Sequence, residues 1–234
     1  MSNARDKRLL RRIAVHHLPL FAASAISVFL LYTTRPYPDV ITRTSFATAY
    51  PALVLLIVTL WIGPWNVLRR KRTPVSSDLR RDIGIWAGVV GLVHTGFGLN
   101  VHLRGRPWLY FLYRKTEGRH LIPLRHDAFG FANYMGALAT ILLLVLFATS
   151  NDYTIRKLGT PRWKQLQRWN YLLFALAFAH TFGYQIGVEK QHGPWVVTVI
   201  ACGAISIILQ ALGYLTRRKR TAKSPSAMDV TISV

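Results

Sequence analysis

The sequence predicts an all-α fold, a polytopic bundle of six transmembrane helices with both termini in the cytoplasm. Of its 234 residues 51% are hydrophobic, and the mean hydropathy is +0.24. The apolar residues form six blocks, each about as long as the roughly 20 helical residues that cross a hydrocarbon core. The blocks cover residues 13–32, 46–68, 83–103, 128–149, 169–187 and 194–215.

The six blocks predict a single membrane domain with short polar ends. We expect residues 1–12 to be a basic cytoplasmic lead-in, 13–215 the six-span domain, and 216–234 a basic, disordered cytoplasmic tail. The first block has the length of a full span and no small-residue cleavage site follows it, so no signal peptide is expected. The lone Cys202 allows no intramolecular disulfide.

The net charge of +21 is distributed unevenly between the two sides of the predicted bundle. Six spans place 21 Lys and Arg residues on the side of the termini and 9 on the other side. This asymmetry predicts that the termini are cytoplasmic, since cytoplasmic loops are the basic ones. The excess charge then orients helices and contacts anionic lipid, and we expect no nucleic-acid partner.

The connection at residues 103–127 has an unusual composition for a loop. Its WLYFLY segment is aromatic and flanked by arginines, which is typical of a segment lying at the membrane interface. The alternative is that this loop borders a functional site and helps to dock a partner.

Two histidines lie inside predicted spans, in VHTGFG (93–98) and AHTFGY (179–184). His94 and His180 each follow the cytoplasmic start of their span by about 12 residues, which predicts a common depth of about 18 Å. Ionisable side chains inside spans usually face a cavity, a partner or a cofactor. Alternatively, each histidine forms an ordinary hydrogen bond to a neighbouring helix.

The surroundings of the two histidines favour a flat metal complex between them. Neither span has a carboxylate near its histidine, and two neutral imidazoles facing each other suit a heme iron. Both histidines are flanked by small residues that would leave room for a broad ring: Gly91, Gly98, Ala177 and Gly183. Aromatic residues on the same helices that could wall a porphyrin are Trp86, Phe97, Phe174, Phe178, Phe182 and Tyr184. Both kinds of residue also serve ordinary helix packing.

Residues 80–99, RRDIGIWAGVVGLVHTGFGL, and the motif RKLG…W…H within 147–184 resemble the ferric reductase-like transmembrane domain family. The most similar members are heme-binding membrane subunits of the periplasmic methionine sulfoxide reductase system. The resemblance implies a protein of the bacterial inner membrane with one b-type heme in the outer half of the bilayer. His94 and His180 would be its axial iron ligands.

The chain departs from the family pattern at the inner heme position. The second histidine of span five is replaced by Gln167, and Arg80 stands where members with two hemes have a ligand. Because neither side chain is a usual ligand of heme iron, the resemblance implies that the inner site is lost or altered. His16 and His17 are weaker candidates for inner ligands; the alternative is that they reach towards the membrane interface.

The resemblance also implies electron transfer across the membrane, as a subunit of an oxidoreductase. The chain contains no flavin domain, so a quinol or a cytosolic flavin reductase would be the donor. The inner side could hold FMN, FAD or a quinone, and the phosphate of a flavin could be bound by basic inner residues: Arg80, Arg81, Lys164 and Arg168. Arg104 and Arg106 could pair with heme propionates or simply be interfacial charges, and the acceptor would be a periplasmic oxidoreductase.

Two other functions remain open from the sequence. One is a direct transmembrane ferric-chelate reductase, which needs an exposed heme edge on the outer side. The other is a heme-free membrane scaffold or transporter subunit, in which the two histidines only join helices. Against transport, no predicted span contains an acid near its middle, and no repeat relates the two halves of the chain.

Overall fold

The computed structural model describes residues 2–34, 37–69, 77–114, 123–190 and 193–222. The helices are α1 (Ser2–Arg12), α2 (Leu18–Thr34), α3 (Val40–Leu68), α4 (Ser77–Gly98), α5 (Ala128–Ala148), α6 (Asp152–Leu158), α7 (Thr160–Gln167), α8 (Asn170–Phe182) and α9 (Pro194–Ala222). A π-helical turn at Ile13–His17 joins α1 to α2, and another at Gly183–Val188 extends α8. The described residues contain no β-strand, which confirms the all-α prediction; one isolated bridge pairs Leu112 with Leu124.

Five helical segments are long and apolar enough to cross a membrane. They are Asp6–Thr34, Val40–Leu68, Ala128–Ala148, Thr160–Val188 and Pro194–Arg220. The third predicted span, 83–103, corresponds to α4, which is a helix of 22 residues but not one of these five. Arg81, Asp82 and His94 give α4 a more polar composition than its neighbours, and the first two side chains are buried in the bundle.

The bundle is built around α3, which packs along α2, α4 and α9, while α5 packs chiefly against α8. A single apolar core joins α3, α4, α5 and α8 and consists of Leu56, Ala87, Ala139, Leu146 and Leu173. Burying such side chains against one another fixes how these four helices are rotated about their axes. That rotation directs the inner faces of all four helices towards one cavity.

One end of the bundle, called the Tyr110 end here, contains the start of α3, the end of α4 and the start of α5. Asp39 caps α3 by accepting hydrogen bonds from the backbone N–H groups of Ile41 and Thr42, both at 3.1 Å. After α4 the chain turns back through a 3₁₀ helix, Pro107–Tyr110, and the side chain of Tyr110 becomes buried.

Tyr110 fastens this returning loop to the end of α4. Its hydroxyl donates to the carbonyl of Gly98 at 3.0 Å and accepts from the backbone N–H of His102 at 2.9 Å. Pro107 and Phe111 of the same loop line the cavity between the helices. The loop predicted at 103–127 therefore borders the cavity, and it also exposes Trp108.

The opposite end, called the Asp82 end, is held by charged side chains. Asp82 on α4 is fully buried, and the guanidinium of Arg12 donates to it. His16 lies 2.7 Å from the same carboxylate and His17 lies 3.5 Å from it. These contacts tie the first helix to α4. Residues 2–12 of the predicted lead-in are helical and continue through the π-helical turn into α2.

The last helix extends beyond its predicted end. α9 continues to Ala222 rather than stopping at 215, so the start of the predicted disordered tail is helical. The remainder of that tail, 223–234, lies outside the described residues.

Candidate cofactor site

His94 on α4 and His180 on α8 face each other across the interior of the bundle. Their ring centres are 6.2 Å apart and their planes are inclined by 68°. Imidazole nitrogens bind metals at about 2 Å, so a metal held between two rings would put their centres roughly 6 Å apart. The observed separation therefore suits a metal bound between the two rings.

Each imidazole is oriented by a backbone carbonyl from another helix. Nδ1 of His94 lies 2.9 Å from the carbonyl oxygen of Ser45 on α3. Nδ1 of His180 lies 2.8 Å from the carbonyl oxygen of Ala132 on α5. A carbonyl can only accept, so both Nδ1 atoms carry the proton and both Nε2 atoms retain a free lone pair. This is the arrangement of metal-ligating histidines, whose second nitrogen donates to a fixed acceptor.

A largely apolar cavity of about 470 Å³ surrounds the pair. It is lined by residues of α3, α4, α5 and α8 and by the loop that follows α4. Such a volume lies within the range of cofactor pockets, which are mostly apolar with a few oriented polar groups. The cavity and the donor set thus fit a planar group whose metal takes one imidazole on each face.

The described residues contain no cluster of three or more His, Cys, Asp or Glu side chains able to hold a metal ion. The protein contributes two imidazoles at this site, and further metal ligands would come from the bound group itself. A porphyrin, which supplies four nitrogens of its own, meets that requirement.

Gly136 on α5 makes room for the ring of His180. A Cβ atom at this position would lie 2.6 Å from Nδ1 and 2.8 Å from Cε1 of His180. No side chain larger than hydrogen fits there without displacing the imidazole. Sequence reasoning did not identify Gly136, because its helix carries no histidine and only the packing of α5 on α8 shows the contact.

The predicted flanking residues have different roles in the structure. Gly91, Gly98 and Ala177 line the cavity, whereas Gly183 packs against Ala132. Among the six predicted aromatic residues only Tyr184 lines the cavity. Trp86 packs on Phe21. Along α8, the ring of Phe178 packs between those of Phe174 and Phe182. The other aromatic lining comes from the start of α3 and from the loop after α4, namely Tyr37, Phe46, Tyr50 and Phe111.

The predicted charged contacts at the Tyr110 end do not line the cavity. Arg104 forms an ion pair with Asp39 at 2.7 Å, and its side chain is 60% exposed. Arg106 is exposed at the start of the 3₁₀ helix. His102, which sequence reasoning did not single out, does line the cavity.

The predicted inner-site residues lie towards the Asp82 end and away from the histidine pair. Arg80 lies beside Gly63, and the side-chain amide of Gln167 lies 3.5 Å from the hydroxyl of Ser150. His16 and His17 contact Asp82 rather than each other's ring or the cavity. Sequence reasoning missed Asp82 as their partner, because the predicted third span begins one residue after it.

The fold and this site define a helical protein with five candidate membrane spans and an apolar cavity between two facing histidines. The chain is 27% identical over 173 residues to the heme-binding subunit MsrQ of a protein-methionine-sulfoxide reductase from Yersinia pseudotuberculosis serotype O:1b, covering 74% of this chain and 76% of that protein. The MsrQ subunit of Yersinia pestis strain Pestoides F matches equally, with 75% of its length covered. The predicted resemblance is thus confirmed: the chain is similar to MsrQ heme-binding subunits over about three quarters of its length.

Two further comparisons found no relative. No family model matches the chain. No solved structure matches it either.

Proposed function

We propose that the chain is a b-type heme membrane protein that carries electrons across the bilayer. The observation that carries this proposal is the pair of imidazoles 6.2 Å apart, each with Nδ1 bound to a carbonyl and Nε2 left free. The name of the MsrQ relatives, heme-binding subunits, supports the same cofactor. His94 and His180 would be the axial ligands of a single heme.

The chemistry follows from ligation on both faces. A heme with two axial histidines has no open coordination position, so when bound it exchanges single electrons instead of binding substrate. The task of this chain is to hold that group at a fixed height, to keep water away with the apolar lining, and to orient both imidazoles through Ser45 and Ala132. Anchoring of this kind tunes both the affinity and the reduction potential of a metal site.

We place the Asp82 end in the cytoplasm and the Tyr110 end on the outer face of a bacterial inner membrane, with α4 as a sixth span. The excess of Lys and Arg in the connections at the Asp82 end supports this orientation. The histidine pair then lies in the outer half of the bilayer. Electrons would enter from a quinol or a cytosolic flavin reductase and leave to a periplasmic oxidoreductase.

The acceptor is proposed from the relatives, whose name places them in a protein-methionine-sulfoxide reductase. Reoxidation of the reduced protein should therefore be faster with a periplasmic methionine sulfoxide reductase than with ferric chelates at equal concentration. Faster reoxidation by ferric chelates would favour direct ferric reduction instead.

The heme assignment is tested by absorption spectra of the detergent-purified protein before and after dithionite. Wild type should show a reduced b-type band with about one heme per chain, and His94→Ala and His180→Ala should each lose it. His126→Ala is the matched control, since His126 is exposed at the Tyr110 end and does not line the cavity. Full heme content in both ligand variants would contradict the proposal.

A further inference from the structure

His102 lies in the loop that follows α4, at the Tyr110 end of the cavity that contains the histidine pair. Its imidazole stacks on the ring of Tyr184, with centres 6.1 Å apart and planes inclined by 16°. The edge of Phe129 packs on it from α5 at 5.4 Å. Tyr184 in turn contacts His180, with ring centres 5.1 Å apart. The ring of His102 is thus held in one orientation close to the proposed cofactor.

The nitrogen atoms of this ring have no hydrogen-bond partner among the described residues, where the only bond of His102 is made by its backbone N–H. Two other polar side chains of the lining already form hydrogen bonds. The hydroxyl of Tyr184 donates to Asn133 at 2.9 Å, and that of Thr181 donates to the carbonyl of Ala177 at 2.9 Å. A ring N–H of His102 is therefore available to a ligand in the cavity, because no described residue accepts a hydrogen bond from it.

Gln185 provides a second unused polar group in the same lining. Its side chain is buried, its Nε2 donates to the hydroxyl of Tyr50 at 2.8 Å, and its Oε1 has no partner among the described residues. A hydroxyl can donate as well as accept a hydrogen bond. If the side-chain amide of Gln185 were rotated by 180°, its Oε1 would accept from the Tyr50 hydroxyl, and its Nε2 N–H groups would be available to a ligand. Buried polar groups without partners are rare and call for an explanation.

A ligand with two carboxylates explains both groups. Carboxylates buried in this cavity need charged or polar hydrogen-bond donors. Glu189 lines the same cavity, and repulsion between its carboxylate and those of the ligand makes such donors more necessary. Arg104 is drawn away by its ion pair with Asp39 and does not line the cavity. A neutral imidazole at His102 would offer one ring N–H to such a carboxylate.

We propose that His102 and Gln185 form a carboxylate-binding subsite for the ligand held between His94 and His180. The inference rests on the proposed function, in which these carboxylates are the two heme propionates. His102 and Gln185 then fix how the heme is rotated in its own plane, while the axial histidines fix its height in the bundle.

The subsite is tested by comparing hemin with hemin dimethyl ester, which has the same iron and ring but no carboxylate. Full-length protein from heme-starved cells is titrated with each compound in detergent. We expect wild type to prefer hemin by about tenfold or more, because hydrogen bonds to charged groups are the strong ones. In His102→Ala and in Gln185→Leu the preference should fall several-fold, and His102→Gln should retain most of it because a donor remains.

Two controls separate the possible failures. Arg104→Ala and His126→Ala should keep the wild-type preference, and a loss in Arg104→Ala alone would overturn the assignment in favour of that arginine. An unchanged preference in both His102→Ala and Gln185→Leu would overturn the subsite while leaving the heme assignment intact. If neither compound gives a bis-imidazole spectrum with wild type, the proposed function itself fails and the subsite fails with it.

A second measurement does not require heme-free protein. Transfer of heme from the loaded full-length chain to apomyoglobin should be about tenfold faster for His102→Ala than for wild type, since the carboxylate contacts slow release. Equal transfer rates would contradict the proposal. His126→Ala should behave as wild type.

Discussion

His94 and His180 lie on different helices, and neither is oriented by the helix that carries it. The acceptor for His94 is the Ser45 carbonyl of α3, and the acceptor for His180 is the Ala132 carbonyl of α5. The site is therefore an assembly of four helices, two supplying the histidines and two supplying the carbonyl groups that orient them. Substitutions on α3 and α5 should consequently alter the site without touching either histidine.

Gly136→Ala should reduce heme content. Its Cβ would lie 2.6 Å from Nδ1 of His180, so the ring must move away from the Ala132 carbonyl that orients it. Losing such an orienting partner typically costs 10- to 100-fold in metal affinity or activity, and we expect a drop of about tenfold in heme affinity. The measurement is heme per chain by pyridine hemochrome after purification.

Gly96→Ala is the matched control for this substitution. Gly96 lies two residues from His94, and a Cβ there meets no atom within 4 Å. This variant should bind heme as wild type does and, since alanine favours helices, should be no less stable. Equal heme loss in the two variants would show that Gly136 has no special role.

Asp82→Asn should destabilise the protein more than it changes the heme spectrum. The buried carboxylate is the shared partner of Arg12, His16 and His17, and its neutralisation leaves the Arg12 charge largely buried without an anion. Removing one member of a buried ion pair costs about 3 kcal/mol or more. Thermal unfolding in detergent measures the loss, which should appear as a clear fall in Tm.

Asp78→Asn serves as the comparison, because Asp78 is paired with Arg8 and Arg81 at a more exposed position on the same helix. Because Asp78 is partly exposed and Arg81 keeps its ion pair with Asp152 at 2.5 Å, the Tm of Asp78→Asn should stay closer to that of wild type than the Tm of Asp82→Asn does. Equal Tm values for Asp82→Asn and wild type would contradict a structural role for the cluster.

Asp39→Ala should lower Tm at neutral pH and lose this effect in acid. The hydroxyl of Thr42 first of all, together with backbone N–H groups and Arg104, lowers the pKa of Asp39 from 3.8 to about 2. A carboxyl whose pKa is lowered by folding stabilises the folded state above its unfolded pKa and stops doing so as the pH falls through its folded pKa. The Tm difference between wild type and variant should thus be full above pH 4 and shrink towards pH 2. A difference that grows as the pH falls would contradict this sign.

Tyr110→Phe should loosen the loop that covers the Tyr110 end of the cavity. The substitution removes the hydroxyl bonded to the Gly98 carbonyl and the His102 N–H, leaving both backbone groups without that partner at a buried site. An unsatisfied buried group costs about 1–3 kcal/mol, so heme transfer to apomyoglobin should be faster. Tyr113→Phe, which removes a longer 3.3 Å bond to an exposed N–H of His126, should leave the transfer rate unchanged.

The positions of the helices and of the histidine pair are predictable from the sequence. Apolar blocks of span length delimit helices, and the equal distances of His94 and His180 from the starts of their blocks predict a common depth; that the two rings face each other depends on helix packing. The rotation of α5 that places Gly136 against His180 is not predictable, because it depends on packing between helices that are distant in sequence. His102 lies in a loop without periodicity, so no pattern marks it.

The π-helical turn at Ile13–His17 also limits what the sequence shows. A helix of regular period would place His16 and His17 about 100° apart, whereas both contact the single carboxylate of Asp82. The sequence predicts these residues as weaker inner-ligand candidates or as side chains that reach towards the membrane interface, and only the packing of this turn against α4 shows that they share an acid.

This turn also has an evolutionary consequence. A π-helical turn accommodates one residue more than a regular helix does and largely keeps the register of the helix on either side of it. A homologue lacking one residue within Ile13–His17 would therefore have a regular first helix and would still direct its counterpart of Arg12 towards the acid on α4. One-residue gaps at this turn in descendants of a common ancestor should thus leave the acid in place, whereas a gap within α2 would rotate every residue before it by about 100° and should coincide with replacement of the acid.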